Sequence, residues 1–94
     1  MRSRHDRVTE QDLLTFPCEF PIKLIARGEV DLETIARTIV QQEAIHPNDA
    51  RSSLTRSRHG RYQSVTVTIQ AEERAELDRL YGAFTREKAI LIVL

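Results

Sequence analysis

Cysteine is nearly absent from this 94-residue chain: Cys18 stands alone. No intramolecular disulfide can form, and the composition suits a reducing compartment. Net charge is absent too, since fourteen basic residues offset fourteen acidic ones. That argues against a whole-molecule field drawing the protein to nucleic acid or to an anionic membrane. No apolar run approaches the ~18 residues of a membrane span, and the opening residues Met1 to Arg7 lack the apolar core of a signal peptide. A cytoplasmic location is therefore expected. Glycine is scarce at three residues, and Gly28 and Gly60 form no phosphate-binding loop. No serine sits in a nucleophile elbow, and Cys18, His46 and His59 follow no metal-ligand spacing. Neither enzyme activity, a metal nor a cofactor is expected.

What the chain does have is one well-marked stretch, Arg61 to Ala71. Its odd positions Gln63, Val65, Val67 and Ile69 fall on one side of a strand, and Tyr62, Ser64, Thr66, Thr68 and Gln70 on the other. β-branched residues dominate, so composition and period agree on a strand with one core-facing side. From Ala71 the period becomes helical, with Leu77, Leu80, Tyr81 and Phe84 three and four apart.

The length allows a single core. Residues 1–12 alternate arginines with acids and carry almost nothing apolar, so a flexible tail is expected ahead of a domain at 13–94. Leu13, Leu14 and Phe16 should pack one short turn against that domain. Phe16 to Ala26 alternates like a strand, with Cys18, Phe20, Ile22 and Leu24 on one face. Pro17 and Pro21 cannot donate to a ladder, so pairing should begin near Ile22 or lie on a flank that needs no donor. Asp31 then caps a helix carrying Leu32, Ile35, Ala36, Ile39 and Val40, which should end by Ile45, ahead of His46 and Pro47. Arg51 to Arg58 reads as a polar edge strand, joined through the glycine of His59-Gly60 to the central strand. Ala89 to Leu94 is too short for a helix and reads as a last strand.

The order β-α-β-β-α-β implies an α+β fold. The expected form is a ferredoxin-like two-layer sandwich, a four-stranded antiparallel sheet with two helices on one face. Strands one and three lie in the middle, strand two beside three and strand four beside one.

Leu14-Thr15-Phe16-Pro17-Cys18-Glu19-Phe20-Pro21-Ile22-Lys23 resembles the opening of the YbeD-like proteins, a bacterial and plastid family of undefined function. His59-Gly60-Arg61-Tyr62-Gln63-Ser64-Val65 resembles that family's Gly-x-Tyr-x-Ser-Val core strand. The resemblance covers residues 13–94. It implies a fold similar to amino-acid-binding regulatory (ACT) domains and an association with lipoate metabolism drawn from gene neighbourhood in some members. The sequence departs from the pattern at Ile25-Ala26-Arg27-Gly28, where the glycine closing strand one is displaced. That departure bears on any ligand contact at the following turn. Glu72 stands where a Ser or Thr would cap helix two, and Arg86-Glu87 where His-Pro often precedes the last strand.

Three surface features carry functional weight. Lys23 with Tyr62, Ser64 and Thr66 can converge on the open face of neighbouring strands. A lysine among hydroxyls can hold a small carboxylate or phosphate, or a partner's backbone. Arg58 belongs to the second feature, the acid-free hairpin from Arg51 to Arg61, a potential phosphate contact or simply a charged edge. A nucleic-acid reader would need several stacking aromatics on its central strands. The open face of strand three offers Tyr62 alone, so an accessory nucleic-acid role is the alternative rather than the leading reading. The third feature is the last strand, apolar on both sides. Ile90, Ile92 and Leu94 are the expected interface with a protein partner or a second copy; the other face is Leu91 and Val93. The same surface could instead be covered by Leu13, Leu14 and Phe16. Together these point to a regulatory or adaptor module acting by protein contact or small-ligand binding.

Overall fold

A computed structural model of the chain describes residues 13–94. The expected tail at residues 1–12 lies outside the described residues. In order the elements are β1 (Cys18–Arg27), α1 (Leu32–Glu43), a short 3₁₀ turn (Pro47–Asp49), β2 (Arg51–Arg56), β3 (Tyr62–Ala71), α2 (Arg74–Arg86) and β4 (Ile90–Val93). The sheet is antiparallel throughout with strand order β2-β3-β1-β4. This is the ferredoxin-like α+β sandwich that the element order implies. Among the described residues no helix is long and apolar enough to cross a membrane.

β1 and β3 pair over ten residues, from Cys18 opposite Ala71 to Arg27 opposite Tyr62. Paired residues share a face, so Phe20, Ile22, Leu24, Val65, Val67 and Ile69 all point into the core and are buried. α1 adds Leu32, Ala36, Ile39 and Val40 to that core, and α2 adds Leu77, Leu80 and Phe84. Ile35 is only half-buried. Leu14 and Phe16 pack against the same core, while Leu13 is exposed.

β1 begins earlier than its prolines suggest, and Pro21 sits inside it opposite Thr68. The reason is directional. Lys23 N–H points away from β3 and donates to the Leu94 carbonyl at 3.2 Å. Pro21, two residues back, aims its nitrogen the same way, where no β4 residue lies opposite. The donor that proline lacks has no acceptor to miss.

Asp31 caps α1 through an acceptor bond from Thr34 N–H at 3.3 Å. α2 starts later than the change of period suggests, with Ala71 still in the strand and an N-cap at Glu73 whose side chain makes no capping bond. The helix is closed instead by Glu76, in its first turn and fully buried. One carboxylate oxygen accepts Glu72 N–H at 2.8 Å, and the other accepts Ile45 N–H at 2.7 Å. Glu76 thus ties the chain leaving α1 to the chain starting α2.

Two stability predictions follow from this packing. Val67→Ala should cost on the order of 1–3 kcal/mol in chemical denaturation, and Thr66→Ala on the opposite face much less. Equal losses would contradict the β1–β3 register. Glu76→Ala should cost roughly 1–3 kcal/mol for each N–H left without an acceptor, and Glu76→Gln less because one acceptor survives. The exposed α1 carboxylate Glu33, replaced by alanine, is the control; a loss there as large as at Glu76 would overturn the assignment.

Candidate functional site

Both helices cover one face of the sheet, and the other face carries the candidate residues. Its rows follow from the register. Thr55, Ser64 and Ile25 lie side by side, and Ile92 on β4 continues the row beyond Ile25. In the next row Ser53, Thr66 and Lys23 are neighbours. Leu94 extends it, exchanging both backbone hydrogen bonds with Lys23. Tyr62 sits opposite Arg27 at the hairpin end. Lys23, Ile25, Tyr62 and Ser64 line one shallow depression of about 200 Å³, together with Thr55 and Ser57. Thr66 faces Lys23 across the strands but is not part of that lining, and Arg58 lies in the β2–β3 loop outside it.

The last strand corrects one expectation. Ile90 is 7% exposed and belongs to the core, so it is not an interface residue, while Leu91 is 49%, Ile92 48% and Leu94 60% exposed. A register shift explains this. Ile92 pairs with Ile25, but Ile90, two residues away, pairs with the adjacent Ala26, leaving Leu91 as the extra residue of a bulge. Strict alternation fails there, so neither parity set of the sequence survives. Ile90 and Val93 turn toward the core, and Leu91, Ile92 and Leu94 remain outside. The Leu13–Phe16 segment does not cover them, since all three stay exposed in its presence.

The four hairpin arginines divide. Arg51 donates from both terminal nitrogens to the two carboxylate oxygens of Glu19, each at 3.3 Å, and Gln70 Nε2 donates to the same carboxylate at 3.0 Å. The Arg51 hydrogen bond, then that of Gln70, then the arginine's charge hold the Glu19 carboxyl below its ordinary range. Arg56 Nη1 reaches the Gly28 carbonyl at 3.3 Å. Arg58 and Arg61 are exposed in and beside the turn, which Gly60 closes at φ +71°.

The β1–α1 turn, where the displaced glycine bears on any ligand contact, is occupied by the chain itself. Gln63, on the core face of β3 and 3% exposed, donates its amide to the carbonyls of Arg27 and Val30 and, at 3.4 Å, of Gly28. Gly28 N–H donates to Arg61 carbonyl at 2.8 Å. A Cβ on Gly28 would lie 1.8 Å from the Gly60 carbonyl oxygen, so the turn and the hairpin are in direct backbone contact. Among the described residues no three His, Cys, Asp or Glu side chains gather as metal ligands. His46 meets Glu72 at 2.8 Å, and Cys18 is half-buried on the core face of β1. On the helix side, α1 and β2 leave a cavity of about 250 Å³ over Val67, rimmed by Glu33, Arg37 and Arg51.

Sequence reading left out Arg27, set Ile25 on the open face beside Lys23 without naming it a site residue, and gave Leu91 only as part of the other face of the last strand. Ile25 and Arg27 were accessible to it, because alternation from Glu19 through Lys23 puts both on the open face once the strand runs to Arg27. Leu91 was not, because its exposure depends on the bulge.

The family model described as a protein of unknown function (DUF493) matches residues 11–94. The chain belongs to the DUF493 family. This is the YbeD-like family whose opening and core-strand motifs the sequence carries. The DUF493 chain is 34% identical over 87 residues to UPF0250 protein NE1487 of Nitrosomonas europaea, covering 93% of this chain and 100% of that protein. It is 32% identical over 84 residues to a UPF0250 protein of Paraburkholderia phytofirmans, covering 89% of this chain and 94% of that one. The solution structure of protein HP0495 from H. pylori superposes with a TM-score of 0.66 at 12% identity, covering 100% of this chain and 94% of that chain. At that identity the likeness concerns the fold alone.

The Glu19 contacts give a pH prediction. A carboxylate whose folded pKa is depressed adds stability above its unfolded value and loses it as pH falls through the folded value. The pair with Arg51 should therefore hold to a lower pH than that at which an unpaired glutamate protonates, and open as pH falls through the lowered value. Arg51→Ala is expected to raise the Glu19 midpoint toward the ordinary value, read by NMR titration of its side-chain carboxyl. An unmoved midpoint would show that the pair does not form in solution.

Proposed function

We propose that this DUF493 protein is a cytoplasmic regulatory or adaptor module, without catalysis of its own, that docks a protein partner on the open face of its sheet. The observation that carries the reading is the apolar strip of Leu91, Ile92 and Leu94, exposed at the sheet margin beside half-buried Ile25. Tyr62, 43% exposed, borders the same depression as Ile25. Single apolar residues on a surface need no explanation, but a contiguous set on a face that no helix covers does.

On the open face, size favours a macromolecule over a buried small ligand. Ligand cavities commonly enclose ~300–1,000 Å³, and the depression beside Lys23 holds about 200 Å³. The likeness to amino-acid-binding domains would place a ligand at the β1–α1 turn, where Gln63, Arg56 and Arg61 already engage the backbone. A small carboxylate or phosphate at Lys23 is compatible with the docking role, as the anchor group of a larger partner. The association with lipoate metabolism that the resemblance implies suggests where such a partner can be sought.

The test pairs Ile92→Lys with the wild type. The substitution is at an exposed position, so the folded state should keep its denaturation midpoint. Proteins retained by the wild type from native cell extract should be lost by the variant. Identical retention by both would remove the open face as the docking surface.

A further inference from the structure

The open face has a charge asymmetry that the whole molecule lacks. The chain carries no net charge, but the strand registers place Lys23, Arg27 and Arg51 on this face, with Glu19 the one acidic side chain they set there among the described residues. Arg51 and Glu19 satisfy each other at one end of the sheet. Among the described residues no acidic side chain pairs with Lys23 or Arg27, and the two bracket Ile25 on a single strand. Four residues of strand separate them by roughly 13 Å. Beside this row lie Ile92 on β4, Leu94 just beyond that strand, and Tyr62 on β3.

From this juxtaposition we infer that the occupant of the open face is an acidic amphipathic helix. Its apolar stripe seats on Ile25, Ile92, Leu94 and Tyr62, and its flanking carboxylates meet Lys23 and Arg27. The inference rests on the docking role proposed above and names the partner's chemistry. The dimensions fit: a helix is about 10 Å across, and β4, β1 and β3 together span about 10 Å at the usual strand spacing. The opposite face of the same sheet is already packed by helices in this manner. Charge decides among the other occupants. A second copy laid face to face would oppose its own Lys23 and Arg27 to ours, and like charges across an interface oppose docking. A basic partner meets the same repulsion, and a bare anion leaves the apolar row uncovered.

The test uses the whole chain and synthetic peptides of about eighteen residues, ~27 Å long as helices. One has a leucine stripe flanked by glutamates, the second the same stripe flanked by lysines, the third glutamates with serines in the stripe. Fluorescence anisotropy should show the first peptide binding and the other two not. The double variant Lys23→Glu, Arg27→Glu should weaken the first peptide on the order of tenfold and gain the second. Ile92→Ser should weaken the first without gaining the second. Amide chemical shifts should move at Ile25, Tyr62, Ile92 and Leu94. Equal binding of both charged peptides, binding untouched by the charge reversal, or shifts confined to Arg58 and Arg61 would each overturn the inference. So would a wild-type dimer in sedimentation equilibrium that Ile92→Ser dissociates. If native partners are lost with Ile92→Lys while the acidic peptide fails to bind, the docking role stands and its acidic partner falls. If Ile92→Lys loses nothing either, both fall together.

Discussion

Both faces of this protein depend on the ten-residue antiparallel pairing of β1 with β3. That register decides which side chains meet the helices and which meet the outside. Because side chains alternate, a slip of β1 by one residue against β3 would send Ile22 and Leu24 outward and bring Lys23 into the core. The cost would be prohibitive for a lysine buried without a partner. The register is therefore held by the core, and the open face inherits its arrangement from residues on the other side of the sheet.

The ends of the sandwich are closed by two buried polar side chains, Gln63 and Glu76. Gln63 takes a core-face position in β3, where hydrophobic spacing would favour an aliphatic residue. It sits at the sheet's end, where it gives the Val30 carbonyl a donor and the Arg27 carbonyl, which also accepts Val30 N–H, a second one. Glu76 performs the complementary task, supplying acceptors to two N–H groups that belong to neither helix interior. Each satisfies more than one backbone group from a single side chain, which offsets the desolvation of burying it. The β1–α1 turn is closed in this chain by its own glutamine.

The strand and helix periods were legible because each is a local property. β3 shows its alternation in consecutive residues, and Asp31 announces the start of α1. The strand order followed from connection rules applied to those elements. What was hidden depends on long-range partners. Nothing near Glu76 in sequence reveals Ile45, thirty-one residues away. The pairing of Arg51 with Glu19 crosses β3, so a hairpin that reads as free of acid has its first arginine neutralised from another strand. Pro21 reads as a strand breaker only until the direction of its nitrogen is known. For β4, a short apolar run carries no period from which the bulge at Leu91 could be inferred.

The two edges of the sheet show why the open face, rather than strand addition, is the surface to consider. An unpaired edge invites another strand unless it is blunted. β2 is blunted by charge and by polar residues, with Leu54 its one large apolar group. β4 is blunted by geometry, being four residues long and bulged against β1. A bulge twists a strand and breaks the regular spacing that a new neighbour would need. That protects the backbone of β4 but leaves side chains uncovered: Leu91 and Ile92, with Leu94 just after them, are apolar and exposed along a strand ill-suited to extending the sheet. A partner that reads this margin must do so through side chains, laid across the face where β4 adjoins Lys23 and Ile25. The bulge that buries Ile90 thus also sets the kind of contact the strand can make.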